Sequence, residues 1–109
     1  MAKPTDKMYV VVRSDLDFGS QLAQALHGAR LFAAEHAQIE HDWYNGSNTI
    51  VVLKATDESH LQDLSDKATV SNIQWSMFRE PDLHNQATCL VLAPGHKTRR
   101  ICQNLQLAG

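Results

Sequence analysis

The chain has 109 residues, of which 43% are hydrophobic and 20% charged, and its net charge is −2. This length suits one compact domain with a single core and excludes two domains. The mild acidity excludes a protein built mainly as a cationic nucleic-acid binder. No window approaches the apolar length of a membrane span, and no secretory signal follows the polar start MAKPTDK. We therefore expect one cytoplasmic domain over residues 1–109, with a flexible N-terminus at residues 1–6.

Four segments have the composition of β-strands. Met8 to Arg13 and Thr49 to Lys54 are β-branched and almost continuously apolar, which is typical of strands buried on both faces. Ile73 to Phe78 alternates between apolar and polar residues, and Thr88 to Ala93 follows it after a short loop. We predict that the first three run parallel, because helices separate them, and that the fourth is antiparallel to its neighbour.

The segments between these strands have helical spacing. Ser20 to Gln38 is predicted as one long helix, and HDWYNGSN after it as a turn. The apolar face of this helix is predicted to carry Leu22, Leu26, Ala29 and Ala33. A second helix is predicted to begin at Thr56 or Asp57. Its buried positions are Leu61, Leu64 and Ala68.

A third helix is predicted from Gly95 to Leu105, with Ile101 and Leu105 as its apolar contacts. The resulting order, β-α-β-α-β-β-α, predicts a single-domain α/β fold, a three-layer α/β/α sandwich around a mixed four-stranded sheet. Right-handed crossovers leave the carboxyl ends of the parallel strands at one edge, where open α/β sheets bind their ligands. Asp15 and the polar loop FREPDLHNQ, residues 78–86, are both expected there, facing the start of the first helix.

Two cysteines are present, Cys89 in a strand-like segment and Cys102 in a helix-like one. Neither lies in a CxxC motif or at a Cys/His ligand spacing. We interpret both as reduced thiols of the core, and we expect neither a metal site nor a cofactor.

Three segments resemble one family. YVVVRSDLDFGSQLAQALHGA, residues 9–29, resembles the opening of the type 2 peptidyl-tRNA hydrolases, in which a strand ends in Val-Arg-x-Asp-Leu before a helix with Ala-Gln-x-x-His. FREPDLHNQATCLVLAPG, residues 78–95, resembles the second motif of that family, and RRICQNLQLAG resembles its C-terminal helix and tail. The resemblance implies hydrolysis of the ester between a peptide and the terminal ribose of tRNA. It also implies peptidyl-tRNA or tRNA as the partner.

The chain departs from the family pattern at two places. Its first motif is shorter, reading Gly19, Ser20 and Gln21, and lacks the lysine that the family uses there. In the second motif Glu80 stands at the position of the family's Asp, Asp82 follows, and the family's Thr has no clear counterpart. The sequence is similar to a short bacterial branch of the family with Glu-Pro-Asp-Leu in this loop.

Ester hydrolysis needs a base for water and a donor for the developing oxyanion. Glu80 or Asp82 is the candidate base, and Gln24 is the candidate donor because it is a neutral amide near the helix start. His27 shares the face of Gln24, opposite the Leu22 stripe, and this face is equally consistent with a solvated one. We expect a carboxylate of the loop within one bridging water of Gln24 or His27. The candidate substrate-binding residues are Asp15, Gly19, His84, Lys97, Arg99 and Arg100.

Two other functions are compatible with the sequence. The missing lysine favours a non-catalytic module that binds tRNA, a nucleotide or a protein, or a hydrolase of a smaller acyl ester or amide. The retained Gln-x-x-His spacing and the acidic loop favour the peptidyl-tRNA hydrolase. The sequence is compatible with a monomer and with a homodimer.

Overall fold

The computed structural model describes residues 6–109. Its strands are β1 (Lys7–Arg13), β2 (Thr49–Ala55), β3 (Trp75–Glu80), β4 (Gln86–Leu92) and β5 (Gln106–Leu107). Its helices are α1 (Phe18–Glu35), α2 (Ala37–Asn45), α3 (Glu58–Val70) and α4 (His96–Cys102), with a 3₁₀ turn at Pro81–Leu83. Of the N-terminus predicted to be flexible, residues 1–5 lie outside the described residues.

Within residues 6–109 the strands form one mixed five-stranded sheet in the order β3-β4-β1-β2-β5. Strands β1 and β2 are parallel, and β4 lies antiparallel between β1 and β3. Strands β1, β2 and β3 therefore run in the same direction and β4 runs against them, which confirms the predicted directions. The prediction of four strands is wrong, because β5 pairs with β2 over Leu53 and Lys54. Its two residues are too few to produce a periodic pattern.

Helices cover both faces of the sheet. Residues Met8–Arg13 of β1 are all buried, and because successive side chains point to opposite faces, both faces must be covered there. Helices α1 and α3 each contact β1 and β4, whereas α2 packs on α1 and α4 packs on α3. The sheet therefore lies between an α1/α2 layer and an α3/α4 layer.

The buried face of α1 differs from the predicted one. Leu22 and Leu26 are 52% and 68% exposed, and the buried residues of the helix are Gln21, Gln24, Gly28 and Phe32. A Cβ added at Gly28 would lie 2.3 Å from Sγ of Cys89, so only glycine permits α1 to approach β4 this closely. The leucine stripe therefore does not mark the buried face of α1. The close approach of the helix backbone to β4 at Gly28 determines which face points inward.

The segment after α1 is helical, so the predicted turn HDWYNGSN is wrong over residues 41–45. Helix α1 ends at Glu35, earlier than predicted, and α2 follows after His36, whose φ of −130° interrupts the helix. Trp43 is buried and its indole N–H donates to the carbonyl of Thr49 at 2.7 Å. Anchoring by this side chain outweighs the turn preference of its polar neighbours.

Helix α3 agrees with its prediction. The Asp57 side chain caps the helix by accepting a hydrogen bond from the His60 backbone N–H at 2.9 Å, and the three predicted positions are buried. Two other boundaries shift. Strand β3 extends through Arg79 and Glu80, which were assigned to the loop, and α4 ends at Cys102, so Leu105 packs against the core from outside the helix.

We predict that Gly28→Ala destabilises the protein by about 1–3 kcal/mol, because the new methyl group overlaps Cys89 in a closely packed core. The matched control is Gly19→Ala in the same helix, where a Cβ meets only Oδ1 of Asp17 at an ordinary 3.5 Å. That change should be neutral or stabilise by up to about 1 kcal/mol. Urea unfolding measures both variants, and equal midpoints for the two would contradict this packing.

Candidate functional site

A chain of hydrogen bonds joins α1 to the ends of β3 and β4. The side-chain Nε2 of Gln24 donates to Oε1 of Glu80 at 2.8 Å, and the Thr88 hydroxyl donates to Oε1 of Gln24 at 2.6 Å. Gln24 is 6% exposed and Thr88 is fully buried, whereas Glu80 reaches the surface. The two segments that were expected to face each other therefore do so, and Gln24 and Glu80 are in direct contact without the bridging water that we expected.

A β-bulge directs Thr88 toward this site. Phe78 pairs with Cys89 and Arg79 with Ala87, so Thr88 is an extra residue in β4 without a partner in β3. In a regular strand Thr88 would point away from the face that Cys89 presents to α1. The bulge turns its hydroxyl to the same face, which is a common role of bulges near functional sites.

Thr88 was not among the residues predicted for the site. The signal that identifies it is its position as the only polar side chain in the apolar run ATCLVLA, residues 87–93, other than the weakly polar thiol of Cys89. A buried hydroxyl in such a strand requires a partner, and the partner here is the amide of Gln24.

The network determines how the Gln24 amide is oriented. An ionised Glu80 can only accept, so it faces the amide nitrogen, and the amide oxygen accepts from Thr88. The second N–H of Nε2 makes no hydrogen bond to any residue of the 6–109 range. Gln24 is thus held in one orientation, with one N–H that has no partner among the described residues.

Glu80 is held by the loop that follows it. Its Oε2 accepts a long hydrogen bond of 3.4 Å from the backbone N–H of Asp82, and its carbonyl accepts from the N–H of Asn85 at 2.9 Å. The ion pairs among the described residues are Arg13–Asp15 and Arg79–Glu58, so within that range Glu80 has no cationic partner. Gln24 is therefore the main group that orients its carboxylate.

The two remaining loop candidates are exposed. The side chain of Asp82 points to solvent from the 3₁₀ turn and contributes only its backbone N–H to Glu80. His84 and Asn85 both have a positive φ, 53° and 61°, in the turn that leads into β4. Histidine and asparagine tolerate this left-handed region better than most residues, which accounts for their presence at the tip of the loop.

His27 lies beside the Gln24–Glu80 pair. Its exposed ring stacks on Phe78 with centroids 4.8 Å apart and planes inclined by 9°. Phe78 and Glu80 are two residues apart on β3, and His27 and Gln24 are three apart on α1, so the two contacts are neighbours. His27 therefore packs on β3 through one face of its ring, and its exposed side chain leaves the other face open.

Arg13 secures the carboxyl edge of the sheet. It is 8% exposed, and its Nε and Nη2 donate to both carboxylate oxygens of Asp15 at 2.9 and 2.8 Å. Its Nη1 donates to Oε1 of Gln86 at 2.9 Å and to the carbonyl of Ala87 at 3.2 Å. The hydrogen bonds from Arg13 lower the pKa of Asp15 below its usual value. Asp15 therefore belongs to a clamp that joins the end of β1 to the start of β4.

The other substrate-binding candidates occupy two places. Gly19 is exposed in the first turn of α1, which Asp17 caps by accepting from the backbone N–H of Ser20 at 2.8 Å. Lys97 and Arg100 of α4 line a groove of about 590 Å³ together with Lys67 of α3. Arg99 does not line it. Arg99 lies near Tyr9, where its charge opposes the rise in the pKa of Tyr9 that burial causes.

No group of three or more His, Cys, Asp or Glu side chains suited to a metal ion occurs among residues 6–109. Cys89 and Cys102 are buried free thiols, as predicted, and burial raises the pKa of each to about 12. In the part of the chain that the structure describes, every helix is too short or too polar to cross a membrane.

Comparisons with known proteins agree with the resemblance. A sequence model described as "Peptidyl-tRNA hydrolase PTH2" matches residues 6–108. A peptidyl-tRNA hydrolase of Thermococcus sibiricus is 31% identical over 113 aligned positions, which cover 93% of this chain and 96% of the relative. The structure of Atu0240, a protein of unknown function from Agrobacterium tumefaciens C58, superposes with a TM-score of 0.69 at 18% identity, covering 95% of this chain and 98% of that one. The structural similarity to Atu0240 concerns the fold alone. The family model and the Thermococcus relative identify the chain as a member of the PTH2 family of peptidyl-tRNA hydrolases.

Proposed function

We propose that this chain is a peptidyl-tRNA hydrolase, which cleaves the ester between a peptide and the terminal ribose of tRNA. Membership of the PTH2 family supports the substrate class. The observation that supports ester hydrolysis is the direct hydrogen bond between Gln24 and Glu80, the last residue of β3. A carboxylate and a neutral amide donor in contact can supply the two functions that ester hydrolysis requires.

In the proposed mechanism Glu80 accepts a proton from a water molecule through a free lone pair of its carboxylate. The oxygen of this water attacks the carbonyl carbon of the ester, and the carbonyl oxygen becomes an oxyanion. The second N–H of Gln24 donates to that oxyanion. When the tetrahedral intermediate collapses, the bond to the ribose oxygen breaks, and this oxygen takes the proton held by Glu80. The peptide leaves with a free carboxyl group.

Thr88 acts in this mechanism as a positioning residue. Its hydroxyl donates a hydrogen bond to the amide oxygen of Gln24, so the amide presents its nitrogen to Glu80 and to the substrate. Without this hydrogen bond the amide can rotate by 180° and present its oxygen, which would repel the oxyanion. Thr88 on β4 and Glu80 on β3 therefore fix the direction of the Gln24 amide on α1 before substrate binds.

The surroundings of the pair supply candidate substrate contacts. His27 offers the open face of its ring beside Gln24, and Gly19 and His84 are exposed on the two segments that border the pair. We assign substrate contacts to these three residues. The short segment Gly19–Gln21 and the short loop after Glu80 also favour the short bacterial branch of the family.

A non-catalytic binding module is the second candidate function. It is favoured by the missing family lysine and by the lack of a cationic partner for Glu80 among residues 6–109. In that case the same hydrogen-bonded pair would recognise an ester or amide group without cleaving it. The two functions differ in a single observable, which is turnover of the ester.

We predict that Glu80→Gln and Gln24→Ala each lower the single-turnover rate of peptidyl-tRNA cleavage by roughly 10²-fold or more. The first removes the base while preserving its shape, and the second removes the oxyanion donor. Asp82→Asn is the matched control, because it removes a carboxylate from the same loop that does not contact Gln24, and it should keep most of the rate. A wild-type rate in Glu80→Gln would contradict the mechanism, and no cleavage by the wild type would favour the binding module.

We predict that Thr88→Val lowers the cleavage rate and destabilises the fold by about 1–3 kcal/mol, because the buried oxygen of Gln24 loses its donor. Thr88→Ser retains the hydroxyl and should recover most of the rate. Thermal unfolding and single-turnover kinetics of the two variants measure both effects. Equal rates for valine and serine at this position would show that the hydroxyl does not position Gln24.

A further inference from the structure

A basic groove lies between α3 and α4, apart from the Gln24–Glu80 pair. It has a volume of about 590 Å³ and is lined by Lys67, Ser71, Lys97, Arg100, Ile101, Gln103 and Asn104. Three of these residues are cations, and the others with polar side chains offer one hydroxyl and two amides. The lining includes no carboxylate, although the chain has more acidic than basic residues.

The cations of the groove differ in ion pairing from the basic residues near the sheet edge. Arg13 and Arg79 are committed to ion pairs with Asp15 and Glu58. Lys67, Lys97 and Arg100 form no ion pair with any residue between 6 and 109. Asp66 lines the adjoining part of the surface with Lys67 and Ile101, beside the groove and outside it. The positive charge of the groove is therefore available to a ligand.

The groove and the pair occupy different layers of the molecule. Gln24 belongs to α1, whereas the groove is formed by α3 and α4, which pack on each other across the sheet from α1. The described chain measures 36 × 24 × 24 Å. A nucleic-acid strand advances about 3.4 Å per nucleotide along a helix, so about ten nucleotides span the longest dimension. An RNA of that length is thus long enough to reach both places.

We propose that this groove binds the phosphodiester backbone of tRNA while the terminal ester lies at Gln24 and Glu80. Lysine and arginine neutralise phosphates, and hydroxyl and amide groups donate to phosphate oxygens, so the lining complements a polyanion. The groove adds Lys67 to the cations predicted from the sequence and excludes Arg99. The identity of the RNA rests on the proposed function, whereas the charge and position of the groove do not.

The test measures the binding of labelled, deacylated tRNA by fluorescence anisotropy at several salt concentrations. Each phosphate contact contributes about −0.9 to the slope of log affinity against log salt, so three contacts give about −2.7. The affinity of the wild type should then fall about 40-fold between 50 and 200 mM salt. Lys67→Ala, Lys97→Ala and Arg100→Ala should each weaken binding at low salt and each reduce the slope by about 0.9.

Arg99→Ala is the matched control, because it removes the same charge from the same helix at a position outside the groove. It should keep most of the affinity and the wild-type slope. Unchanged affinity and slope in the three groove variants would overturn the proposal, and so would an equal loss in Arg99→Ala or no binding by the wild type.

The assay needs no cleavage, so it separates this inference from the proposed function. If the wild type hydrolyses peptidyl-tRNA while the groove variants bind tRNA normally, the groove proposal is wrong and the hydrolase stands. If the groove variants lose affinity in a chain that cleaves nothing, the groove proposal is supported and the hydrolase is wrong.

Discussion

The close approach of α1 to β4 at Gly28 is the constraint on which the candidate site depends. With no side chain at this position, the helix backbone lies against Cys89 and Val91, where a Cβ would be 2.3 Å from a sulfur atom. Gln24 lies one helical turn before Gly28 and therefore enters the interface as well. A larger residue at this position would lift the helix and separate the amide from Thr88 and Glu80.

Burial of the Gln24 amide then determines the chemistry available at the site. A buried amide oxygen or nitrogen with no hydrogen-bond partner costs about 1–3 kcal/mol, so each of the two atoms requires at least one partner. The bulge in β4 provides the donor from Thr88, and the end of β3 provides the acceptor from Glu80. The bonds that the fold requires for stability are thus the same bonds that orient a donor and a carboxylate toward a substrate. The Arg13 clamp supports the arrangement by attaching β1 to β4 at Ala87, one residue before Thr88.

Local signals in the sequence were sufficient for much of the fold. The apolar run of β1, the Asp57 cap and the spacing of Leu61 and Leu64 each follow from the immediate neighbourhood, and the structure agrees with all three. The buried face of α1 was not predictable in this way. Hydrophobic periodicity favours Leu22 and Leu26, whereas the contact with β4 selects Gly28 because it is small and Gln24 because it has partners.

The site was partly predictable for the same reason. Gln24 and Glu80 lie in motifs that the chain topology brings to one edge, so their proximity followed from the order of elements. Thr88 depends on a register shift between two strands, and the α3 side of the basic groove depends on how two helices pack. Neither feature leaves a local pattern in the sequence. The lone hydroxyl in the apolar run of residues 87–93 distinguishes Thr88, but its contact with Gln24 and the contribution of Lys67 to the groove appear only in three dimensions.

The central claim is that Gln24 presents one free amide N–H to the substrate while the other is held by Glu80. The side-chain amide protons of Gln24 give separate signals in a ¹⁵N–¹H correlation spectrum and can be assigned by their loss in Gln24→Ala. The ligand for this measurement is an adenosine whose ribose carries a peptide through a stable amide in place of the ester. The account predicts that one of the two proton signals shifts strongly on binding while the Glu80-bonded one changes little. Binding that leaves both signals unchanged would contradict it.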